Sequence, residues 1–257
     1  MYMAIFQALL SAAILGLLYY RMIKRETPSP ISWLQALLPM GLGMASLSVS
    51  FYVLVGLAAF IGWLGFKAGD VSAFVRSMYL AFMMAGGPEE LTKFAAMAIS
   101  IFLFRKKIRN VYEYILIGAA VGIGFTLPEE FLYGDAETQA FWIRMLTIAG
   151  HMVYGILMAK HLGIAKYNKI NGKPRFMQYV LAFVVPMFLH TLYDACTGNN
   201  LMMLSDNSAE SDAGIILGLV ATGVHFVGQF IILYFVKKNT EKYCSMNILI
   251  EPSTQTE

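Results

Sequence analysis

Charge is scarce in this chain. Only 14% of its 257 residues are Asp, Glu, Lys or Arg, well below the roughly 25% of a typical soluble domain. Hydrophobic residues make up 58%, and the mean hydropathy is +0.62. A water-soluble fold with a solvated charged surface is excluded. Cysteine is nearly absent: Cys196 and Cys244 fall at the outer end of a helix and in the C-terminal tail, so no disulfide framework is implied. No soluble-domain linker, low-complexity segment or internal repeat is present, and the doublet Pro-Glu-Glu at 88–90 and 128–130 is too short to mark a duplication. The HExxH spacing of helical zinc sites is missing, so any metal site has to be assembled across helices.

What the chain does contain is a series of apolar runs. A hydrocarbon core about 30 Å thick takes roughly 20 apolar residues per helix. The chain supplies several such runs, which points to an all-α polytopic membrane bundle forming a single domain over 1–257. The first run, Met1 to Tyr20, has no basic residue ahead of it and no small-residue cleavage site, and is expected to be a retained span. The net charge of +3 does not indicate nucleic-acid binding, because Lys and Arg fall in four clusters: Arg21 to Arg25, Arg105 to Arg109, Lys160 to Arg175 and Lys237 to Lys242. Placed on the cytoplasmic side, these clusters pair spans 111–134 with 140–160 and 176–195 with 213–236. The joining loops, one holding Gly134-Asp135-Ala136-Glu137 and one holding Asp206, Glu210 and Asp212, then face outward.

Between residues 25 and 105 the reading is one long span within Ile31 to Phe66 and a helix beginning at Pro88, since Gly86-Gly87-Pro88 interrupts the pattern and proline favours the first helical position. The remainder, 71–85, is about 23 Å as a helix. It is read as an amphipathic or re-entrant segment at the outer surface. The sum is about seven spans plus this segment, in a cell membrane, with the N-terminus outside and the C-terminus cytoplasmic.

Four polar clusters sit inside these runs: Glu89-Glu90 with Lys93, Glu129-Glu130, His151 with Arg144 seven residues before it, and His190 with Asp194. Ionisable groups at bilayer depth are costly and mark function by default. Two carboxylates at a helix start can be simple dipole capping, and Glu89 can pair with Lys93 one turn on. They can also shift one another's protonation and act as acid and base. His190 and Asp194 share a helical face, where a carboxylate can orient an imidazole. The small-residue run Gly118 to Gly124 allows close helix packing without any catalytic role. His151 is expected near the middle of span 140–160. Two other histidines are set aside: His161 beside a basic loop, and His225 with no charged residue within a helical turn.

In order, Glu89-Glu90-Leu91-Thr92-Lys93, then Gly124-Phe125-Thr126-Leu127-Pro128-Glu129, then Arg144 to His151, then His190-Thr191-Leu192-Tyr193-Asp194 resemble the PrsW-type intramembrane proteases. These are relatives of the type II CAAX prenyl endopeptidases and Abi-type proteins, and the match covers roughly 80–200. The family often has Asn where Glu130 and Asp194 stand. The resemblance implies an endopeptidase that cleaves a single-span membrane protein within the lipid bilayer near its extracytoplasmic side, as in the first cut of an anti-sigma factor during stress signalling.

It implies catalytic roles for Glu89, Glu90, Glu129, His151, His190 and Asp194, supported by Lys93 and Arg144, with Glu89 as the base for water. His151 and His190 either bind Zn²⁺ with a carboxylate or donate hydrogen bonds to the oxyanion in a glutamate-dependent, metal-free mechanism; the second is preferred here. A CAAX-type or bacteriocin-processing protease of the same fold is the nearest alternative, and a proton-coupled transporter using the intramembrane carboxylates is the other.

Overall fold

The computed structural model describes residues 2–26, 30–63, 73–133, 138–197 and 212–249. The fold is all-α. Ten helices follow in order: α1 Tyr2–Ile23, α2 Trp33–Trp63, α3 Ala73–Ala81, α4 Gly87–Phe104, α5 Val111–Tyr133, α6 Thr138–Thr147, α7 Gly150–Ile170, α8 Phe176–Cys196, α9 Asp212–Lys238 and α10 Thr240–Ser245. Among the described residues, six helical stretches are long and apolar enough to cross a membrane: Tyr2–Ile23, Trp33–Phe60, Val111–Tyr133, Phe141–Ile170, Phe176–Cys196 and Ile216–Lys238. The chain is a multi-pass membrane protein. Of the seven expected spans, the remaining one corresponds to α4, whose 18 residues carry Glu89, Glu90 and Lys93.

Helix α5 is the axis of the bundle. It is buried on all faces from Val111 to Thr126, as expected of a helix that is apolar all round. Glycines let its neighbours approach to backbone contact. A Cβ on Gly118 would collide with the Gly155 carbonyl of α7, one on Gly122 with the His151 carbonyl, and one on Gly124 with the Met40 carbonyl of α2. The α5–α7 crossing therefore brings the start of α7 against the second half of α5.

Two expectations change in detail. The helix expected to start at Pro88 and run to Phe104 is α4, Gly87–Phe104, with Pro88 in its first turn, but it does not stand apart from the segment before it. The backbone stays helical from Ala73 to Phe104, passing from α3 into α4 through a π-helical turn at Phe82–Gly86. Proline lacks only a donor that a widened turn leaves unused in any case, and a side chain at Gly86 would collide with Thr191 Oγ1 of α8. The segment 71–85, read as an amphipathic or re-entrant helix, contains α3 and leads through the π turn into α4; its residues 71 and 72 lie outside the described residues. The span expected at 140–160 is broken between Thr147 and Gly150, and α7 runs on to Ile170. His151 therefore lies in the first turn of α7, not mid-span, and part of the basic cluster 160–175 is helical. The acidic loop 134–137 and the residues Asp206 and Glu210 lie outside the described residues.

The basic ends of α1 and α4, the start of α5 and the C-terminal segment meet at one end of the bundle. Arg109 pairs with Glu26 at 3.3 Å and with Glu113, Ile31 N donates to Glu26 at 2.9 Å, and Ile248 N donates to the Arg109 carbonyl at 2.8 Å. Burial, then the Glu113 carboxylate, push Glu26 up to about 8 from an ordinary 4.5, although Arg109 pulls the other way. The native state then holds a proton that the unfolded chain releases, so the stability linked to Glu26 is complete below pH 4.5 and is lost as pH rises through 8. The thermal midpoint in detergent should fall across this interval, and Glu26→Gln should flatten that part of the profile. Independently, Gly118→Leu should destabilise by about 1–3 kcal/mol through overpacking, whereas Gly16→Leu, with nothing within 4 Å, should leave the midpoint unchanged.

Candidate active site

Adjacent residues on an α-helix point about 100° apart, so a carboxylate pair cannot address one point. Each pair here splits its roles. Glu89 faces a cavity of about 630 Å³, whereas Glu90 is fully buried, with Oε1 accepting from Lys93 at 2.6 Å and from His190 Nδ1 at 2.8 Å. On α5, Glu129 meets His151 Nε2 at 2.5 Å and Arg144 at 3.3 Å. Its neighbour Glu130 is buried, held by Arg144 at 2.6 Å and by the Gln7 amide of α1 at 2.5 Å.

Lys93 joins these parts. Its ammonium is completely buried, 2.6 Å from Glu90, 2.8 Å from His151 Nδ1, 3.7 Å from Glu89, and 4.1 Å above the Phe125 ring. An ammonium has only donors, so His151 Nδ1 accepts and Nε2 carries the proton shared with Glu129. His190 is fixed in the opposite sense: Nδ1 donates to Glu90, leaving Nε2 facing Asp194 Oδ2 at 3.3 Å and Glu89 Oε2 at 3.8 Å. A nitrogen facing two carboxylate oxygens needs either a proton or a cation there.

The four sequence clusters thus converge: Glu89, Glu129, His151, His190, Asp194 and Arg144 all border one cavity. Arg144 reaches it from α6 across the helix break, not from the face of a continuous span. His161 lies apart, bonded to Gln178 at 2.7 Å. His225 was wrongly set aside. It lines the cavity, 3.2 Å from the Tyr154 hydroxyl, with its ring 4.3 Å from that of Tyr193. Tyr154 and Gln7 carry no sequence signal, and His225 reads as inert, because each finds its partner on another helix, which leaves no spacing to read.

The residues fit a divalent cation in kind. One donor atom each from Glu89, His151 and His190 lies within 4.8 Å of the others, and two imidazoles with one carboxylate form a donor set known from catalytic zinc. Glu89 Oε2 is buried without a hydrogen-bond partner, an arrangement that calls for a ligand. Glu90 behind His190 supplies the carboxylate that fixes a ligating imidazole. Bonds of about 2 Å require the three donors to draw closer together, and His151 can ligate only through Nε2 once the proton shared with Glu129 is released, since Lys93 occupies Nδ1.

The sequence pattern of a family described as "PrsW family intramembrane metalloprotease" matches residues 29–236. Among curated proteins, the chain is 32% identical over 120 residues to Protease PrsW of Bacillus subtilis (strain 168), covering 46% of this chain and 54% of that protein. It is 30% identical over 127 residues to Protease PrsW of Halalkalibacterium halodurans, covering 48% and 56%. The corresponding figures for Protease PrsW of Shouchella clausii are 32% over 132 residues, 50% and 59%. The chain thus spans little more than half the length of these relatives. No solved structure matches.

The two kinds of carboxylate differ in what their loss does to stability. Arg144→Met leaves Glu130 buried with only the Gln7 amide and should cost on the order of 3 kcal/mol. Glu89→Gln replaces a buried oxygen that has no hydrogen-bond partner, and with both proteins stripped of metal by a chelator it should leave the detergent unfolding midpoint no lower than that of the unsubstituted protein.

Proposed function

The chain belongs to the PrsW family of intramembrane metalloproteases, and from that premise we propose that it is an endopeptidase that cleaves a membrane-protein substrate inside the bilayer. The observation that carries this reading is the convergence of Glu89, His151 and His190 on one cavity, with their donor atoms within 4.8 Å. Glu89, His151 and His190 would hold a zinc ion. When bound, such an ion supplies Lewis acidity, lowering the pKa of a water and polarising a carbonyl. The unpartnered Glu89 oxygen favours the ligand role for this residue over the base role expected from sequence.

Glu129 lines the cavity with Glu89 and Glu130; it is the one in contact with His151, whereas Glu130 is held by Gln7 and Arg144. Glu129 takes the proton from the attacking water. Glu90 orients His190, Lys93 holds Glu90 and His151 together, and Glu130 with Gln7 anchors Arg144 beside Glu129. The buried Lys93 and Arg144 limit the repulsion among the clustered carboxylates.

Cleavage near the extracytoplasmic face follows from depth. Measured along the helices from their basic ends, Glu89, Glu129 and His190 lie roughly 22–28 Å away, and His151 lies about 14 Å from Lys160, which puts the site in the outer half. With the basic end cytoplasmic, the N-terminus is outside and the C-terminus inside, and the site opens toward the outer leaflet. An anti-sigma factor with one span is the substrate class that the family resemblance suggests. Hydrolysis is favoured over transport because α5 is packed on every face between the site and the basic end.

The test is cleavage of a tagged single-span protein by the purified enzyme in detergent, with zinc measured by mass spectrometry. The unsubstituted protein should cleave and lose activity to a tight chelator. Glu89→Gln and His190→Ala should lose both zinc and cleavage. Glu129→Gln should retain zinc and lose cleavage by about 10²–10⁴-fold. Full cleavage by folded His190→Ala would overturn the reading.

A further inference from the structure

Hydrolysis of an amide needs a hydrogen-bond donor at the carbonyl oxygen as well as an activated water. The side-chain donors around the cavity are largely committed. Thr126 donates to the Gly122 carbonyl at 3.1 Å, Thr147 to the Ile143 carbonyl at 3.0 Å and Thr197 to the Tyr193 carbonyl at 2.8 Å, while Tyr193 donates to Thr147 at 3.3 Å. Lys93 is held by Glu90 and His151, and Arg144 by Glu129 and Glu130 through Nη2, with its Nε buried and without a hydrogen-bond partner. An ionised Asp194 accepts only.

Tyr154 differs because its partner is an imidazole nitrogen. It lies one turn after His151 on α7, 3% exposed, with its ring stacked on His190 at 5.2 Å and 6.2 Å from the ring of His151. Its hydroxyl is 3.2 Å from His225 Nδ1 of α9, and both residues line the cavity. The His225 ring packs on Tyr193, and its Nε2 sits where Gly150 leaves room: a Cβ there would lie 2.8 Å away. With the proton on Nδ1, His225 donates to the phenol oxygen, and the phenol proton is released toward the cavity.

We propose that the Tyr154 hydroxyl donates the hydrogen bond that stabilises the oxyanion of the scissile carbonyl, and that His225 is the positioning residue that orients it. This rests on the protease reading above. In the addition step the water oxygen bonds to the carbonyl carbon, its proton passes to Glu129, and the C=O π pair moves onto the carbonyl oxygen, toward which the Tyr154 O–H points. On collapse that pair re-forms the C=O bond, the C–N bond breaks, and the leaving nitrogen takes the proton from Glu129. Tyr154 keeps its own proton throughout. The assignment gives α9, otherwise mainly lipid-facing, a direct part in the site.

The test uses the full-length protein in detergent and single-span peptides carrying a fluorophore and quencher on either side of the cleaved bond. Tyr154→Phe removes one oxygen and should lower kcat by about 10²–10³-fold with KM changed by less than about twofold, while zinc content and unfolding midpoint stay at the unsubstituted values. His225→Ala should lower kcat by about tenfold, and His225→Asn, which restores a donor near the Nδ1 position, should recover most of that loss. A kcat for Tyr154→Phe within about threefold of the unsubstituted enzyme overturns the assignment, as does a fall in kcat accompanied by loss of zinc. If Tyr154→Phe does not fold, the His225 pair decides, since equal kcat in His225→Ala and the unsubstituted enzyme also overturns it. If the unsubstituted protein cleaves none of the peptides, the protease reading fails before any substitution is compared, and this inference fails with it.

Discussion

A completely buried lysine ammonium organises this site. Lys93 has no water to solvate it, and removing such a charge from water costs several kcal/mol unless its protons are all received. Glu90 from its own helix and His151 from α7 receive them, and the Phe125 ring of α5 covers the remaining side. Glu90 in turn holds His190 of α8. One charge thus ties four helices at a single level and sets the tautomer of one histidine directly and of the other through Glu90. Deleting it would leave Glu90 buried with His190 as its one hydrogen-bond partner and free the Nδ1 of His151.

The backbone delivers these groups by close approach. Gly122 admits the His151 carbonyl, and Gly86 admits Thr191, the residue after His190. The π turn at Phe82–Gly86 lies just before Glu89-Glu90 and borders the same cavity, a frequent place for such turns. The first carboxylate doublet divides between the cavity and the interior, because a helix rotates Glu90 away from Glu89, whereas both Glu129 and Glu130 reach the cavity wall. In the proposed mechanism Glu89 and Glu129 serve the chemistry, and Glu90 and Glu130 hold histidine and arginine in place.

Much of this was legible in the sequence, and the reason is the solvent. In a bilayer an ionisable residue has few bland explanations, so Glu89, Glu129, His190 and Asp194 stood out, and the apolar runs set the helices to within a few residues. What was hidden depends on contacts between helices. The break before Gly150 carries no proline, so His151 was placed mid-span although it starts a helix. The π turn substitutes for the helix end that Gly86-Gly87-Pro88 suggested. Gln7 and His225 looked inert because their partners, Glu130 and Tyr154, are distant in sequence. Which member of the Glu89-Glu90 doublet faces the cavity depends on helix rotation, which packing fixes and spacing does not.

The central claim is that Glu89, His151 and His190 form one zinc-binding, peptide-cleaving centre. Zinc-edge X-ray absorption on the purified protein in detergent tests it most directly. The expected spectrum shows two imidazole nitrogens at about 2.0–2.1 Å with oxygen completing the shell, reduced to one imidazole in His190→Ala. A protein that cleaves its substrate while binding no zinc, or zinc ligated by sulfur, would contradict the account.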